Sequence, residues 1–325
     1  MKNVCLFGDC IDSMKTLPDG LAQCCVTSPP YFGLRDYGVQ PSRWPEICYS
    51  PMAGLPEVVI PAMSCCLGLE PTPEAFVGHM VAVFRDVRRV LRDDGTLWLN
   101  LGDSYSNGGR ATRDADPKHI GRPDMAFRPA DGAKPKDLLG IPWRVAFALQ
   151  ADGWYLRSDI IWAKENCMPE PVTDRCTKAH EYIFLLSKSE RYFYDHEAVK
   201  EEAVKGAAGS TFNKGKTAEH QLNRSSDKER VDSETRNRRS VWTVATKPYK
   251  GAHFATFPPD LIRPCIRAGS RPGDVVLDPF FGSGTTGQVC QEEGRFWIGC
   301  ELNEAYRPLQ EKRTAQQGLM FGCNQ

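Results

Sequence analysis

Two short stretches of this chain carry residue types that can do chemistry: Ser28-Pro29-Pro30-Tyr31, and the run from Asp278 to Thr286. In the first, Pro29 and Pro30 have no N–H and hold φ at about −65°. The residue before each proline is pushed away from helix. The carbonyls of such a turn are rigid and are not all used by secondary structure. Ser28 Oγ and the Pro29 carbonyl form a rigid acceptor pair suited to the hydrogens of an exocyclic amine. Drawing those hydrogens off leaves the nitrogen lone pair free for attack. Tyr31 adds a flat face on which a base can stack, a contact worth roughly 1–3 kcal/mol. An ordinary proline-rich loop with a half-buried tyrosine has the same composition, so this turn gains meaning only beside the second stretch.

The second stretch, DVVLDPFFGSGTTG (274–287), reads as a strand running into a tight turn and then a helix. Gly282 and Gly284 allow the backbone to approach a ligand without a Cβ in the way. Thr285 and Thr286 fall where a new helix offers free N–H groups to an anion. The turn lacks the lysine of a phosphate-binding loop, and it lacks the full G-x-G-x-x-G spacing. Glu301 ends the next apolar run, where an acid in an open α/β sheet bonds ribose hydroxyls. With Asp278 these features suit a nucleoside that has a small anionic tail and no pyrophosphate. S-adenosylmethionine (SAM), with its adenine, ribose and methionine carboxylate, fits. A purely structural glycine turn is the alternative.

Taken together, the two motifs resemble those of the β-class DNA amino-methyltransferases of bacteria and phages. VTSPPY (26–31) is similar to their catalytic signature and DPFFGSGTTG (278–287) to their SAM signature. The order, catalytic motif first and SAM motif last, resembles their circular permutation. GDCIDSMKTLPDG, GTLWLNLGDSY, IIWAKEN, HEYIFLLSKS, SVWTV and HFATFP are also similar to family segments. The resemblance implies that Asp278, Phe280, Gly282, Gly284, Thr285 and Thr286 line the methionine end of SAM. It implies that HFATFP (253–258), with Phe257, closes on the cofactor. Glu301 would hold the ribose and Asp9 the adenine amino group. Ser28, Pro29, Pro30 and Tyr31 would form the target-base site, and Asp103 would lie near the cofactor or catalytic loop, or serve as a turn residue at a strand end.

The implied reaction is site-specific methylation of an exocyclic amine on a base flipped out of double-stranded DNA. Ser at the first position of the motif is more typical of enzymes for N4 of cytosine, and Asp of enzymes for N6 of adenine. Cytosine is therefore favoured, with adenine as the second reading and an RNA or protein substrate as a more distant one. There is no Pro-Cys-Gln motif of the ring-carbon methyltransferases. Cys265 follows Pro264 but precedes Ile266, and reads as core.

These residues need a scaffold to bring them together, and the apolar pattern supplies one. VCLF (4–7), AQCCVTS (22–28), TLWLNL (96–101), WYLRSDIIWA (154–163), EYIFLLS (181–187), DVVLDPF (274–280) and RFWIGCEL (295–302) read as seven strands. Phe76, Met80, Phe84, Val87 and Leu91 recur at helical spacing over 73–92, with Asp93-Asp94-Gly95 as the stop. Residues 138–150 are helical in pattern. Strands alternating with helices predict a mostly parallel α/β sheet with helices on both faces. The resemblance specifies it further as a Rossmann-like SAM-dependent methyltransferase fold, circularly permuted.

Residues 1–195 then form a catalytic half, 196–250 a target-recognition segment, and 251–325 the SAM-binding half of the same domain. The catalytic half contains an insertion over about 39–71, with six Pro and three Cys, and a polar loop over 105–135. Residues 196–250 hold twelve Lys/Arg against eight Asp/Glu, suited to phosphates, with Asn213, Gln221, Asn223 and Arg224 available for base edges.

Composition sets the outer bounds. The chain has 325 residues, 41 Lys+Arg and 41 Asp+Glu, so its charge is balanced and only local excess can favour nucleic acid. Its 41% hydrophobic content is that of a globular protein. No apolar run is long enough to span a membrane, and the N-terminus has no signal-peptide pattern. Thirteen Cys, an odd number without a Cys-x-x-Cys pair, read as reduced thiols of a cytoplasmic protein, and no metal site is expected. A homodimer, a companion restriction endonuclease and an orphan enzyme all remain open.

Overall fold

The structure is a computed structural model that describes residues 2–106, 133–167, 169–203, 235–246 and 257–315. The first elements are β1 (Val4–Phe7), α1 (Cys10–Lys15) and β2 (Ala22–Thr27), then four short strands, β3 (Ser42–Trp44), β4 (Ile47–Tyr49), β5 (Val58–Ile60) and β6 (Met63–Cys65). Next come α2 (Pro73–Val90), β7 (Leu91–Leu101), α3 (Ile141–Ala151), β8 (Tyr155–Ala163) and β9 (His180–Ser187). After β10 (Glu201–Glu202), β11 (Thr235–Arg236) and β12 (Val241–Thr243), the chain continues through α4 (Pro259–Gly269), β13 (Val275–Asp278), α5 (Thr285–Glu292), β14 (Phe296–Glu301) and α6 (Arg307–Ala315).

Among the described residues, eight strands form the central sheet in the order β1-β14-β13-β2-β7-β9-β8-β12, and of these β9 alone runs against its neighbours. All seven expected strands are present. The eighth, β12, lies in the segment assigned to recognition and pairs parallel to β8 at the sheet edge. Its three residues, flanked by charged sequence, are too short to show a period.

The strands are apolar on both sides because both faces are covered. In β7, Leu97, Leu99 and Leu101 enter one core with α1, α2 and α3, while Trp98 enters the other with α4 and α5. In β13, Val275 and Leu277 face the first core and Val276 the second. Helix α2 starts where Thr72 Oγ1 accepts from Ala75 N at 3.1 Å and Pro73 opens the first turn. It buries Phe76, Met80, Phe84 and Val87 completely, each worth about 1.5–3 kcal/mol relative to exposure. The helix ends at Val90, two residues before the expected end. Asp93-Asp94-Gly95 is instead a bulge inside β7, between the pairs Ala22–Leu91 and Cys24–Thr96.

The first and last strands of the sheet are neighbours. Phe7 pairs with Glu301, and Gly8 N donates to the Glu301 carbonyl at 2.9 Å. The region expected to be an insertion folds as two antiparallel pairs, β3 with β6 and β4 with β5, with β4 and β5 packed on α2.

Candidate active site

The two chemical motifs leave adjacent parallel strands at their carboxyl ends. β2 and β13 pair through Cys24–Val276 and Cys25–Leu277. Just beyond these pairs, Thr27 Oγ1 donates to Asp278 Oδ1 at 2.7 Å. Asp278 is 1% exposed. It also accepts from Phe280 N at 3.1 Å and, on its other oxygen, from Thr286 Oγ1 at 2.6 Å. One carboxylate therefore ties the end of β2, the turn after β13 and the start of α5 together. Burial pushes its pKa up to about 6, partly offset by these three donors.

Beyond Thr27, the proline turn carries Tyr31 into a network of side chains from three other strand ends. The phenol donates to Glu181 Oε2 at 2.6 Å. Asn100 Nδ2 lies 2.7 Å from the Tyr31 oxygen, 3.1 Å from Glu181 Oε2 and 3.3 Å from Ser28 Oγ. Ser28 Oγ in turn donates to the Tyr31 oxygen at 3.3 Å. Lys164 Nζ, just past β8, pairs with the other Glu181 oxygen and stands 4.5 Å from the centre of the Trp162 ring. Burial, and the negative charge of Glu181, push the Tyr31 phenol well above its ordinary value, so it is a neutral donor. The ring packs on Gly102, where a methyl group would come within 2.5 Å of it. Network and glycine together hold the ring in one orientation.

The glycine turn is built differently. Gly282 and Gly284 have φ of +53° and +87°, a region that glycine enters without penalty. A Cβ at Gly282 would meet nothing closer than 3.9 Å, so that position is open to a ligand. At Gly284 a Cβ would lie 3.3 Å from Gln310 Cα, so its lack of a side chain serves packing against α6. Gly282 N donates to Glu301 Oε2 at 2.8 Å, and Gln310 Nε2 donates to the Gly282 carbonyl at 2.7 Å. Glu301 also accepts from Asn303 N at 2.7 Å. Burial raises its pKa to about 6. Thr285 accepts from Arg313. Ser283 Oγ, 4% exposed on the residue, has no hydrogen-bond partner among the described residues. An open glycine, an unpartnered hydroxyl and a carboxylate at the strand end make a donor and acceptor set that fits SAM.

Other expected residues have local partners. Asp9 caps α1, accepting from Ile11 N at 2.9 Å and from Asp12 N, while its other oxygen accepts from Ser42 Oγ at 2.6 Å. Asp103 accepts from Ser104 N and from Ile141 N at the start of α3, both at 2.9 Å, which is the turn role allowed for it. Phe280 is half-buried against the first core and Phe257 against the second. Residues 253–256 of HFATFP lie outside the described residues, as do Asn213, Gln221, Asn223, Arg224 and most of the 105–135 loop. Burial raises the Cys24, Cys25, Cys265 and Cys290 thiols, so none of these is an available thiolate. Sequence reasoning missed Asn100, Lys164 and Glu181. Each sits inside a quoted family segment, but only strand pairing shows that the three converge on Tyr31.

Residues 22–312 match the DNA methylase family of N6 and N4 amino-methyltransferases. The chain is 49% identical over 301 residues to the Type II methyltransferase M.Cfr9I of Citrobacter freundii, covering 92% of this chain and 83% of that one. It is 48% identical over 312 residues to the Type II methyltransferase M.XycI of Xanthomonas campestris pv. cyanopsidis, covering 95% and 87%. Among solved structures, the PvuII cytosine-N4-specific DNA methyltransferase superimposes with a TM-score of 0.61 at 18% identity, over 98% of this chain and 88% of that one, and so shares the fold. Among the described residues, no helix is long and apolar enough to cross a membrane. With the two motifs joined at Asp278 and the family match spanning both, the chain belongs to the N6/N4 DNA methylase family and is a SAM-dependent DNA amino-methyltransferase.

Proposed function

We propose that this enzyme methylates N4 of a cytosine flipped out of double-stranded DNA at a specific site. The observation that supports the reading is the 2.7 Å bond from Thr27 to Asp278, which joins the proline turn to the glycine turn. Ser28 at the head of the proline motif favours cytosine over adenine. Extruding a base costs a few kcal/mol, which stacking on the Tyr31 ring offsets. Ser28 Oγ and the Pro29 carbonyl accept the amine hydrogens, and the nitrogen lone pair is left pointing outward. Bound SAM supplies an activated methyl group, so the protein's own task is positioning. The surplus amine proton leaves through Ser28 or water.

At the cofactor turn, Gly282, Ser283 and the start of α5 at Thr285 and Thr286 take the methionine end. Phe280 flanks it, Asp278 holds the turn that forms this end, and Glu301 takes the ribose. Asp9, the cap of α1 two residues past β1, takes the adenine end, and Phe257 closes on the cofactor from the segment before α4. Residues 196–250 read the DNA, and a companion endonuclease cutting the same site is the context that the Type II relatives suggest.

Mass spectrometry of nucleosides from DNA treated with enzyme and SAM tests this reading. N4-methylcytosine is the expected product. N6-methyladenine would move the assignment to adenine, and transfer only to RNA or protein would overturn it. Sequencing of the modified DNA then gives the site.

A further inference from the structure

The region between β2 and α2, whose role the motifs leave open, reaches the active-site turn through a chain of buried contacts. Gly33 N, two residues past Tyr31, donates to the Gly68 carbonyl at 2.8 Å. Gly68 has φ +91°, and a methyl group there would come within 2.9 Å of the Tyr31 carbonyl oxygen and 3.3 Å of Pro30 Cβ. Its N–H donates to Glu70 Oε2 at 2.8 Å. Glu70 Oε1 lies 2.9 Å from His79 Nδ1, and both side chains are fully buried. His79 belongs to α2, and Trp44 of β3 stacks on its ring at 4.0 Å. Trp44 Nε1 donates to the Cys65 carbonyl at 3.1 Å, which closes β3 and β6 around the pair.

A buried carboxylate and imidazole are a costly way to fill a core, since apolar side chains of the same volume would do as well. What the pair adds is direction. Glu70 accepts from the backbone of Gly68 with one oxygen and from a helix-borne ring with the other, so Gly68 sits at a set height under Pro30 and Tyr31. We propose that Glu70 and His79 are positioning residues for the target-base turn: through Gly68 they transmit the position of α2 to Ser28-Pro29-Pro30-Tyr31. This rests on the reading of that turn as the base site. A misplacement of about 1 Å at such a site can reduce turnover on the order of 100-fold.

Cys65 Sγ, 4.0 Å from His79 Nδ1, makes with Glu70 and His79 a group that could surround a metal ion. The hydrogen bonds argue otherwise. A metal on Nδ1 would force the ring proton to Nε2, which is buried and has no partner among the described residues. With the proton on Nδ1, directed at Glu70, the bare Nε2 leaves no donor orphaned.

The test uses Glu70→Gln and Gly68→Ala. The amide cannot accept at both ends, and the added methyl pushes on Tyr31 without touching a buried charge. Each variant is expected to lower kcat on DNA at least tenfold, with the SAM Kd within twofold of wild type. Leu149→Val in α3, a buried apolar change remote from the turn, serves as a destabilised control with normal kcat. Hydrogen exchange supplies a readout independent of activity: peptides over 28–37 should exchange faster in both variants, with peptides over 275–301 unchanged. Faster exchange in a protein that methylates no DNA would uphold the structural coupling while the functional reading fails. Wild-type kcat and exchange in either folded variant, or a parallel loss of SAM affinity, would overturn the proposal. So would one equivalent of bound zinc by elemental analysis that Glu70→Gln removes. If Glu70→Gln does not fold, Gly68→Ala decides.

Discussion

At the end of β2 the chain is stiffened by two prolines and presents side chains. At the end of β13 it carries two glycines at positive φ, and the Gly282 N–H is bonded to Glu301 of the neighbouring strand. Tyr31 is locked by Glu181, Asn100 and the close approach of Gly102, which under the proposed function holds a planar base in one orientation. Gly282 faces open space while its N–H is held by Glu301, which under the proposed function lets a flexible ligand come close to the main chain. The two regions share Asp278. Rigidity comes from ring constraints on one side of Asp278 and from buried hydrogen bonds on the other.

The largest effect is expected where the two regions meet. Asp278→Ala strands Thr27 Oγ1, Thr286 Oγ1 and Phe280 N, and buried unsatisfied groups cost about 1–3 kcal/mol each. Urea unfolding should show a loss of roughly 3 kcal/mol or more, and SAM binding and methyl transfer should fall together. A loss confined to one of them would separate the two turns.

Tyr31→Ala should reduce turnover on the order of 10- to 100-fold while SAM affinity is kept, as the value of base stacking implies. Tyr31→Phe, which keeps the ring and loses the phenol bonds, should fall between that variant and wild type. Unchanged turnover in Tyr31→Ala, measured by radiolabel transfer, would remove the stacking role.

On the glycine side, Glu301→Gln should weaken SAM binding about tenfold by calorimetry, the scale of one charge-assisted hydrogen bond. The pH dependence has a definite sign. Burial raises this carboxyl from 4.5 to about 6, so between those values the folded protein holds a proton that the unfolded chain has released. Its contribution to stability is full below about pH 4.5 and is lost as pH rises through about 6. SAM affinity should run the other way, rising through the same window as the ionised acceptor forms. Glu301→Gln should flatten that rise, and a flat wild-type profile would refute the ribose contact.

The smallest effect separates the two glycines. Gly284→Ala should cost about 1–2 kcal/mol of stability from its positive φ alone, plus some displacement of α6, with SAM affinity in the folded fraction near normal. Gly282→Ala should show a similar loss of stability, but with SAM affinity reduced as well. Equal affinity losses would mean that both glycines face the ligand.

Much of the scaffold was legible because its signals are local. Leu97, Leu99 and Leu101 alternating with Trp98, or Phe76, Met80 and Phe84 at helical spacing, state strand or helix within a few residues. The prolines at 29 and 30 and the glycines at 282 and 284 announce their turns because each residue type restricts or frees its own backbone. β12 was not legible, since three residues define no period. Nor was the fold of 39–71, where strands of three residues depend on packing against α2.

Which elements form, where the chain turns and which groups stand at those turns follow from the covalent character of single residues and their spacing. That Asp278 serves both turns, that Glu181, Asn100 and Lys164 converge on Tyr31, and that Glu70 and His79 reach Gly68 beneath it came from long-range packing alone. Those contacts join residues far apart in the chain. They depend on strand order and register, in which a shift of one residue turns a side chain to the opposite face of the sheet.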